Sequence, residues 1–358
     1  MQIGTRSISV ANPPYIIAEI GVNHDGSVDR ALELTDAAAD AGANAVKLQL
    51  FEADRLMSAA AKLAAYQSAA GESDPIEMLR RLELSIESMA RIVDRAHARH
   101  IHAIVTVFST ELVDEAESLP WDAYKTASPD IIHRPLLERL ADTRRPLILS
   151  TGASTIEEVS RALGWITARD PAARVRTALL QCVSCYPTPI EHAELGGILA
   201  LANLTPLPIG YSDHTQGVGT GAIAVTLGAR ILEKHFTYDT RAAGPDHAAS
   251  LEPRDFARYV ALARDAHQSL LTDGRAVEHA GIEPIKRVIP IEEDVRRVSR
   301  QSVVTTRSLP AGHVLTSSDL TVKRPGTGIP AYDVASAIGK RLQRTVAADT
   351  PLHTEDLE

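Results

Sequence analysis

Eight short β-rich runs recur along the first 240 residues, and most are followed by a segment with helical period. The runs are nearly continuous apolar stretches, which is typical of parallel strands buried on both faces. Ile86, Met89, Val93 and Ala96 mark one face of an intervening helix. Eight strand–helix units predict a (β/α)₈ TIM barrel, whereas a doubly wound sheet would favour a GxGxxG after its first strand, which is missing. The runs are residues 15–21, 45–49, 102–108, 123–128, 146–151, 177–183, 207–212 and 230–236.

The pattern changes after the eighth helix and predicts three parts. We expect a barrel over residues 1–275, a linker over 276–298 that mixes charges, Pro and Gly without clear period, and a β-like, turn-rich domain over 299–358. Within the last part, "AGHVLTSSDL" (311–320) weakly echoes "ADTPLHTEDL" (348–357). The echo predicts a small pseudo-symmetric domain, whose modest core would lean on a neighbour.

One connection is oversized. Residues 52–85 separate the second strand from its helix, which is too long for a simple βα loop. The segment is rich in Ala, so we expect a lid that contains helical pieces of its own.

Composition excludes several classes of protein. A net charge of −9 argues against a nucleic-acid partner, and no run reaches the roughly 18 apolar residues of a membrane span. The first residues lack the build of a secretory signal. Cys182 and Cys185 are the two cysteines, which excludes a disulfide scaffold and favours the cytoplasm. We interpret their CxxC spacing as small residues on a packed strand, not as a redox or zinc motif.

Polar residues gather where the predicted strands end, and chemistry in such barrels lies at those carboxyl ends. Lys47 and Lys125 stand in otherwise apolar strands, and a buried ammonium needs an anionic partner. Together with nearby hydroxyls they predict a site for a phosphorylated or carboxylated small molecule. For Ser109, Thr151 and Ser154, helix capping is the simpler interpretation. The other strand-end residues are Glu19, Asn23, His24, Gln49, Thr106, Ser128, Asp130, Ser150, Ser184, Tyr186 and Ser212.

Two histidines stand at the ends of the seventh and eighth strands, His214 in "GYSDHTQG" and His235 in "LEKHF". Neighbouring strands lie about 4.8 Å apart, so both imidazoles can reach one ion. Imidazole with carboxylate or water oxygens suits Mn²⁺, Zn²⁺ or Fe²⁺ better than Ca²⁺. Glu19, beside the eighth strand, could add an oxygen or position a water, and Asp213 could orient a histidine. The alternative is that these polar residues only cap buried strands.

Motifs in a fixed order cover nearly the whole chain from about Tyr15: "AEIGVNHDGS", "AVKLQ", "LSTGAS", "YPTP", "GYSDHTQG", "EKHFTYD", "GPDHAASL" and "VKRPGTGIP…AIGKRL". Together they resemble the sialic acid synthase family, and the tail resembles its antifreeze-like (SAF) domain, a small β-clip. The resemblance implies that phosphoenolpyruvate condenses with an open-chain N-acyl-mannosamine-type sugar to give a nonulosonic acid and phosphate. It also implies a homodimer in which each tail completes the partner's barrel.

The resemblance implies roles for individual residues. His214 and His235 would hold the metal, with Mn²⁺ favoured over Mg²⁺ or Co²⁺. Glu19 would handle protons or the metal-bound water, and Arg324 would bind the acceptor's N-acyl group or hydroxyls. Phosphoenolpyruvate, chiefly its phosphate, would be bound by Lys125, Ser128, Ser150, Ser184 and Ser212, and Thr106 would also bind substrate. Lys47, Gln49, Tyr186 and Asp246 would lie near the reacting carbons and the sugar hydroxyls.

Three alternatives remain open at this point. Departures from the family pattern, at "VTVFS", at "KTASPD" and at Ser184, which replaces an Asn of some members, leave the acceptor undecided. It is N-acetylmannosamine or a 2,4-diacetamido-trideoxyhexose, the precursor of legionaminic or pseudaminic acid. A Schiff-base aldolase using Lys125 or Lys47 with pyruvate needs no metal. A non-enzymatic ice- or carbohydrate-binding tail on an inert barrel would leave the buried lysines unexplained.

Overall fold

A computed structural model describes residues 1–273 and 282–358 of the chain. Eight parallel strands close into a barrel in which each strand pairs with the next along the chain and the last pairs with the first, which confirms the predicted TIM-barrel fold. Each strand lies within two residues of a predicted run. A short hairpin of β1 (Gln2–Ile3) and β2 (Arg6–Ser7) precedes the barrel. The barrel strands are β3 (Tyr15–Glu19), β4 (Ala45–Leu50), β5 (His102–Val107), β6 (Ala123–Thr126), β7 (Leu147–Ser150), β8 (Thr177–Cys182), β9 (Ile209–Asp213) and β10 (Ile231–His235).

Helices surround the barrel, and the predicted face of α5 is confirmed, with Met89, Val93 and Ala96 fully buried. The predicted caps are wrong: α8 is capped by Thr155, while Thr151 and Ser154 donate to carbonyls of Leu180 and Gly152. The helices are α1 (Val28–Asp40), α2 (Ala53–Leu56), α3 (Ala65–Ala69), α4 (Pro75–Leu82), α5 (Ile86–Ala98), α6 (Leu112–Ala116), α7 (Arg134–Asp142), α8 (Ile156–Arg169), α9 (Gly196–Leu204), α10 (Thr220–Thr226), α11 (Pro253–Asp273), α12 (Glu293–Ser299) and α13 (Val334–Ala337).

Side chains alternate along each strand, so the barrel has two cores. Outward residues such as Ile16 and Leu232 pack against the helices in one large cluster. Inward residues near the amino ends of the strands, such as Ile17, Ile148 and Ile231, form a separate apolar floor, which Ile3 of the hairpin covers. The floor leaves only the carboxyl-end half of the barrel interior for polar groups.

The oversized connection folds as a lid of three short helices, α2 to α4, as predicted. Apart from Leu84, which joins the outer core, most of its buried apolar residues form a separate cluster. Leu56, Met78 and Leu82 pack instead with Phe51 and Phe108, at the carboxyl ends of β4 and β5. The lid is therefore attached to the mouth of the barrel.

The predicted linker differs from a plain connection, because its last residues form α12. Val295 and Val298 on this helix pack against Ala64 of the lid. Only two apolar residues in a short charged helix leave too weak a period to be recognised in the sequence. The predicted boundary at 275–276 lies outside the described residues.

The tail builds its own small core around Val303, Leu315 and Leu352, with β11 (Ser302–Thr305) paired antiparallel to β12 (Leu320–Lys323). The sequence echo corresponds to equivalent turns. Asp319 and Asp356 are each the second-last residue of the echoed motif, and each accepts the backbone N–H three residues earlier, at Thr316 and His353. Within the described ranges, no helix combines the length and apolar character needed to cross a membrane.

Candidate active site

The inward residues at the carboxyl ends of the strands line one cavity, covered by the lid and the tail. Strand register sets their order: Glu19 of β3 lies beside Lys47 of β4 and beside His235 of β10. Every residue to which the family resemblance gave a role lines this cavity, although the individual roles remain predictions. They are Glu19, Lys47, Gln49, Thr106, Lys125, Ser128, Ser150, Ser184, Tyr186, Ser212, His214, His235, Asp246 and Arg324.

Lys47 is buried in the first of two lysine–carboxylate pairs. Its ammonium forms an ion pair with Glu19 and donates to Thr106 Oγ1 at 3.2 Å. Burial lowers the pKa of Lys47 to about 7, an effect that Glu233 and Asp246 oppose. This lysine can therefore take up or release a proton near neutral pH.

Lys125 forms the second pair, with Glu233, a residue that the sequence analysis missed. The ammonium donates to Glu233 Oε1 at 2.8 Å, and Ser212 Oγ donates to the same oxygen at 2.9 Å. Burial alone would raise the pKa of Glu233, but the charges of Lys125 and Lys47 outweigh it and lower that pKa to about 2. The signal was available, because Glu233 precedes His235 by two residues on one strand and so points inward with it.

The anion that the buried lysines need is thus supplied by the protein itself. Two pairs keep the mouth close to neutral in the absence of substrate, and each ammonium retains donor capacity for a ligand. A buried pair costs more free energy than an apolar contact of similar size, so its presence points to function.

The two histidines face each other, with ring centroids 5.4 Å apart. His214 Nδ1 donates to the carbonyl of Val183 at 2.6 Å, so its Nε2 carries the lone pair; Ser212 Oγ lies 3.4 Å from that nitrogen but donates its proton to Glu233, which leaves the lone pair for a ligand. His235 Nδ1 is buried and has no hydrogen-bond partner in the described part of the chain; Asp246 Oδ2 lies 3.6 Å away. Burial lowers the pKa of His214 to about 4 and that of His235 well below its usual value, so both rings are neutral.

An unpartnered buried nitrogen beside a second neutral imidazole fits a divalent metal. Residues 1–273 and 282–358 contain no group of three or more His, Cys, Asp or Glu placed to hold a metal. Such an ion would therefore take its remaining ligands from substrate and water. The prediction that Asp213 orients a histidine is wrong, since Asp213 pairs with Lys234 and accepts from Thr215.

A cradle of hydroxyls lies beside Lys125. Gly152 N–H donates to Ser128 Oγ at 2.9 Å, and a Cβ added at Gly152 would stand 2.4 Å from Ser184 Oγ. The hydroxyls of Ser150 and Ser184 are buried and have no hydrogen-bond partner among the described residues. Unpaired buried hydroxyls are costly, so they indicate a polar ligand such as a phosphate.

Cys182 also borders this cradle, 3.2 Å from that added Cβ at Gly152. Burial raises the pKa of its thiol to about 11, which makes it unreactive. Cys185 follows the strand end and is also a free thiol.

Arg324 enters the mouth from the tail of the same chain. Its backbone N–H donates to Leu56 O at 2.9 Å, and its carbonyl accepts from Ser58 N–H at 3.0 Å, both on the lid. The guanidinium lies 5.5 Å from the ring centroid of Phe108. Its Nε is buried without a hydrogen-bond partner in the two described ranges. One chain thus places Arg324 in its own barrel, and exchange of tails between subunits stays a prediction.

Tyr66 of the lid is a second residue that the sequence analysis missed. Its ring lies 5.0 Å from that of Tyr186, which in turn lies 4.1 Å from the ring of His214. The lid segment could not be aligned by motif, so no signal pointed to this tyrosine. The stack joins the lid to the histidine pair.

Comparison with known proteins finds related sequences for both the barrel and the tail. The NeuB family model matches residues 34–275, and the SAF domain model matches residues 300–358. An N,N'-diacetyllegionaminic acid synthase of Legionella pneumophila is 36% identical over 347 residues, which are 96% of this chain and 94% of that protein. Human N-acetylneuraminate-9-phosphate synthase is 31% identical, covering 98% of this chain and 94% of its own.

The solved structures agree. The crystal structure of the spore coat polysaccharide biosynthesis protein SpsE from Bacillus subtilis superposes with a TM-score of 0.84 at 30% identity, covering 100% of this chain and 99% of that one. The superposition therefore spans barrel and tail together. The chain belongs to the NeuB family of sialic acid-type synthases, with a SAF domain as its tail.

Proposed function

We propose that this enzyme condenses phosphoenolpyruvate with an open-chain N-acyl amino sugar, in a metal-dependent reaction, to give a nonulosonic acid and inorganic phosphate. One observation carries the proposal: a single cavity holds the unpaired hydroxyls of Ser150 and Ser184, the Lys125–Glu233 pair and the two neutral histidines. An anion site and a metal site so close together suit a phosphorylated substrate that reacts with a polarised carbonyl.

The phosphate of phosphoenolpyruvate fits the cradle. The free hydroxyls of Ser150 and Ser184 would donate to its oxygens, and Lys125 would add a charge-assisted hydrogen bond. Glu233 holds the Lys125 ammonium at 2.8 Å and keeps it aimed across the barrel. Departing phosphate would meet the same groups.

The acceptor aldehyde fits beside the histidines. His214 and His235 would hold the metal, with Mn²⁺ the ion we propose, and such an ion supplies Lewis-acid polarisation of a carbonyl oxygen. C3 of phosphoenolpyruvate attacks the aldehyde carbon, whose oxygen takes up a proton. Water adds at C2 and loses a proton, and the C2–O bond to phosphate then breaks as the new C2 hydroxyl passes its proton to the departing phosphate and becomes the ketone. Lys47, with its pKa of about 7, and its partner Glu19 would exchange the proton that this sequence requires.

Two features of the mouth favour a 2,4-diacetamido-trideoxyhexose as acceptor. Its lid side is apolar, lined by Phe51, Met78 and Leu79, which suits the methyl groups of acetamido and 6-deoxy positions. In the described chain, the cations lining the cavity are Lys47 and Lys125, both paired with carboxylates, and Arg324. Arg324 is the one of these three without a carboxylate partner among the described residues, and we assign it to the N-acyl group, so we propose an unphosphorylated sugar, as the name of the Legionella relative also suggests.

A phosphate-release assay tests the proposal. The enzyme would receive phosphoenolpyruvate with N-acetylmannosamine, its 6-phosphate or a 2,4-diacetamido-trideoxyhexose, each with Mn²⁺ or with chelator. We expect the highest kcat/KM with the diacetamido sugar, and loss of activity with chelator that Mn²⁺ restores. A preference for the 6-phosphate would overturn the acceptor assignment.

The same assay separates the synthase from a Schiff-base aldolase. An aldolase would use pyruvate without metal, and borohydride would trap a covalent adduct on Lys47 or Lys125. We expect no adduct by mass spectrometry. Trapping with pyruvate, together with chelator-resistant activity, would establish the aldolase instead.

We also propose a homodimer, as the family resemblance implies, and a cytoplasmic location, which the two unpaired cysteines favour. The observation behind the dimer is that Arg324, a residue of the tail, lines the cavity, so each barrel mouth needs a tail. Whether that tail comes from the same chain or from a partner is decided by the last experiment in the Discussion.

A further inference from the structure

The segment before the tail presents three charged side chains to one residue of the barrel. Glu292, Arg296 and Arg300 are spaced four residues apart along α12 and its caps, so they lie on one face. All three bind Ala153, which follows Gly152 in the loop after β7. Ala153 has φ of +48°, a left-handed conformation that costs a non-glycine residue free energy unless its surroundings hold it.

Glu292 holds the N–H side of this loop. Its Oε1 accepts the backbone N–H of Ala153 at 2.6 Å and also the N–H of Ser184 at 2.8 Å, so it ties the loop after β7 to the loop after β8. The side chain is 1% exposed. Its Oε2 accepts from the N–H of Ile289, which fixes the carboxylate at the start of α12.

Arg296 and Arg300 hold the other side. Both donate to the carbonyl of Ala153, and both pair with Glu158 of α8. Burial alone would raise the pKa of Glu158, but hydrogen bonds from the two arginines outweigh it and lower that pKa to about 2. Side chains on one face of α12 and its caps thus form hydrogen bonds with both the N–H and the C=O of Ala153.

The loops held in this way carry the phosphate cradle. Ser184, whose N–H binds Glu292, is also the residue whose free hydroxyl points into the cavity. Gly152, next to Ala153, donates to Ser128 Oγ. The hydroxyls therefore face the cavity, while Glu292 and the two arginines, outside the barrel, hold the backbone of these loops.

We infer that Glu292 is a positioning residue for phosphoenolpyruvate, which it never touches, and that the phosphate cradle is formed only when the segment 289–300 is docked. The inference rests on the proposed function. It gives that segment a role distinct from that of Arg324: the segment shapes the phosphate end, whereas the tail contributes a side chain to the mouth.

The sign of the effect separates positioning from simple electrostatics. A buried carboxylate near the cradle repels phosphate, so on charge alone its loss would tighten phosphoenolpyruvate binding. Positioning predicts the reverse for Glu292→Ala, which releases both N–H groups. Glu292→Gln keeps an oxygen that accepts both, although its amide nitrogen can no longer accept from Ile289 N–H, so it should lose far less affinity than Glu292→Ala.

The experiment measures phosphoenolpyruvate affinity by calorimetry in Glu292→Ala, Glu292→Gln and the control Glu293→Ala, an exposed neighbour on the same helix. We expect Kd to rise at least tenfold in Glu292→Ala, and to stay within threefold in the other two, with the KM for the sugar unchanged. Amide exchange at Ala153 and Ser184 should accelerate only in Glu292→Ala. Should this variant not fold, Arg300→Ala, which removes one grip on the Ala153 carbonyl, should give smaller shifts in the same direction.

Unchanged or tighter phosphoenolpyruvate binding in a folded Glu292→Ala would overturn the inference, as would equal losses for both substrates. Failure of the proposed function gives a different result: wild-type enzyme would not bind phosphoenolpyruvate at all. Faster exchange at Ala153 and Ser184 would then still show that Glu292 holds these loops.

Discussion

The same eight strands enclose an apolar floor near their amino ends and a charged mouth at their carboxyl ends. Inward-facing residues only two positions apart on one strand can lie on opposite sides of this boundary. On β10, Ile231 points into the floor, and Glu233 and His235, at the next inward positions, point into the mouth. On β6, Ala123 belongs to the floor and Lys125 to the mouth. The floor is apolar and the mouth holds buried charges, although strand geometry and register are shared.

This difference shows where the barrel gains stability and where it gives stability up. Each floor side chain contributes about 1 to 3 kcal/mol by burial, whereas a buried ion pair commonly stabilises less than an apolar replacement would. The mouth nevertheless holds Lys47–Glu19 and Lys125–Glu233. Substitutions in the two halves should therefore separate cleanly into changes of stability and changes of activity.

The largest contrast is expected between His214 in the mouth and Ile148 in the floor. His214→Ala should lower kcat by about a thousandfold or more and reduce bound Mn²⁺, because it removes one of two neutral imidazoles. Ile148→Ala should lower the free energy of unfolding by about 2 to 4 kcal/mol through the cavity it leaves, with kcat retained in the folded fraction. Kinetics, metal analysis and denaturant unfolding measure both.

His235→Ala serves as the second member of the histidine pair and should match His214→Ala. A folded variant that keeps full activity and full metal content would disprove the metal assignment. A floor variant that lost activity in proportion to the mouth variant would erase the distinction between the two halves.

The next largest effect concerns the phosphate end. Lys125→Ala should raise the KM for phosphoenolpyruvate by about a hundredfold while changing the KM for the sugar little, because it removes a charge-assisted hydrogen bond. Since this variant leaves Glu233 buried without its 2.8 Å partner, the double variant with Glu233→Ala controls for misfolding. A change confined to the sugar's KM would place Lys125 in the other subsite.

A smaller effect follows from the lowered pKa of Lys47. Burial brings this pKa to about 7 in the free enzyme, so at that pH half of the Lys47 side chains have lost the charge that attracts phosphoenolpyruvate. Well above that pH, the charged fraction falls about tenfold per pH unit. The affinity for phosphoenolpyruvate, measured as Kd so that the proton exchange proposed for Lys47 does not enter, should therefore decline above about pH 7. Lys47→Arg, which stays charged, should remove this decline. A pH profile that is the same in both enzymes would assign the decline to another group.

The sequence predicted the barrel and most of the mouth because both follow local rules. Apolar runs gave the strands, and strand-end position gave residues such as Lys125 and His214. Glu233 could have been predicted too, because it lies two residues before His235 on the same strand and therefore points to the same side. Sequence spacing alone thus accounts for residues carried by the strands themselves.

What the sequence did not predict lies in segments that long-range contacts position. Glu292 is 108 residues from Ser184 and 139 from Ala153, and its own helix has only two apolar residues to mark it. The placement of Tyr66 depends on how the lid folds over the mouth. No local period encodes such contacts, since the partner residues are specified only by the closed barrel.

The last prediction asks which chain supplies Arg324 and has the smallest expected signal. A mixture of Arg324→Ala and His214→Ala chains regains activity only if tails are exchanged, because one of the two sites then combines an intact barrel with an intact tail. If each tail stays on its own barrel, as its contacts with Leu56 and Ser58 show for the single chain, both sites remain defective. Exchange, which the family resemblance implies, predicts that coexpressed heterodimers, purified with two tags and assayed with the sugar well below its KM, are clearly more active than the Arg324→Ala homodimer; no gain would mean that Arg324 acts within its own chain. The Arg324→Ala homodimer should itself have a KM for the sugar raised about tenfold, with the KM for phosphoenolpyruvate unchanged. Rescue approaching half of the wild-type activity would establish exchange. If the chain passes to the partner before residue 282, α12 and its hydrogen bonds to Ala153 would then come from the partner as well.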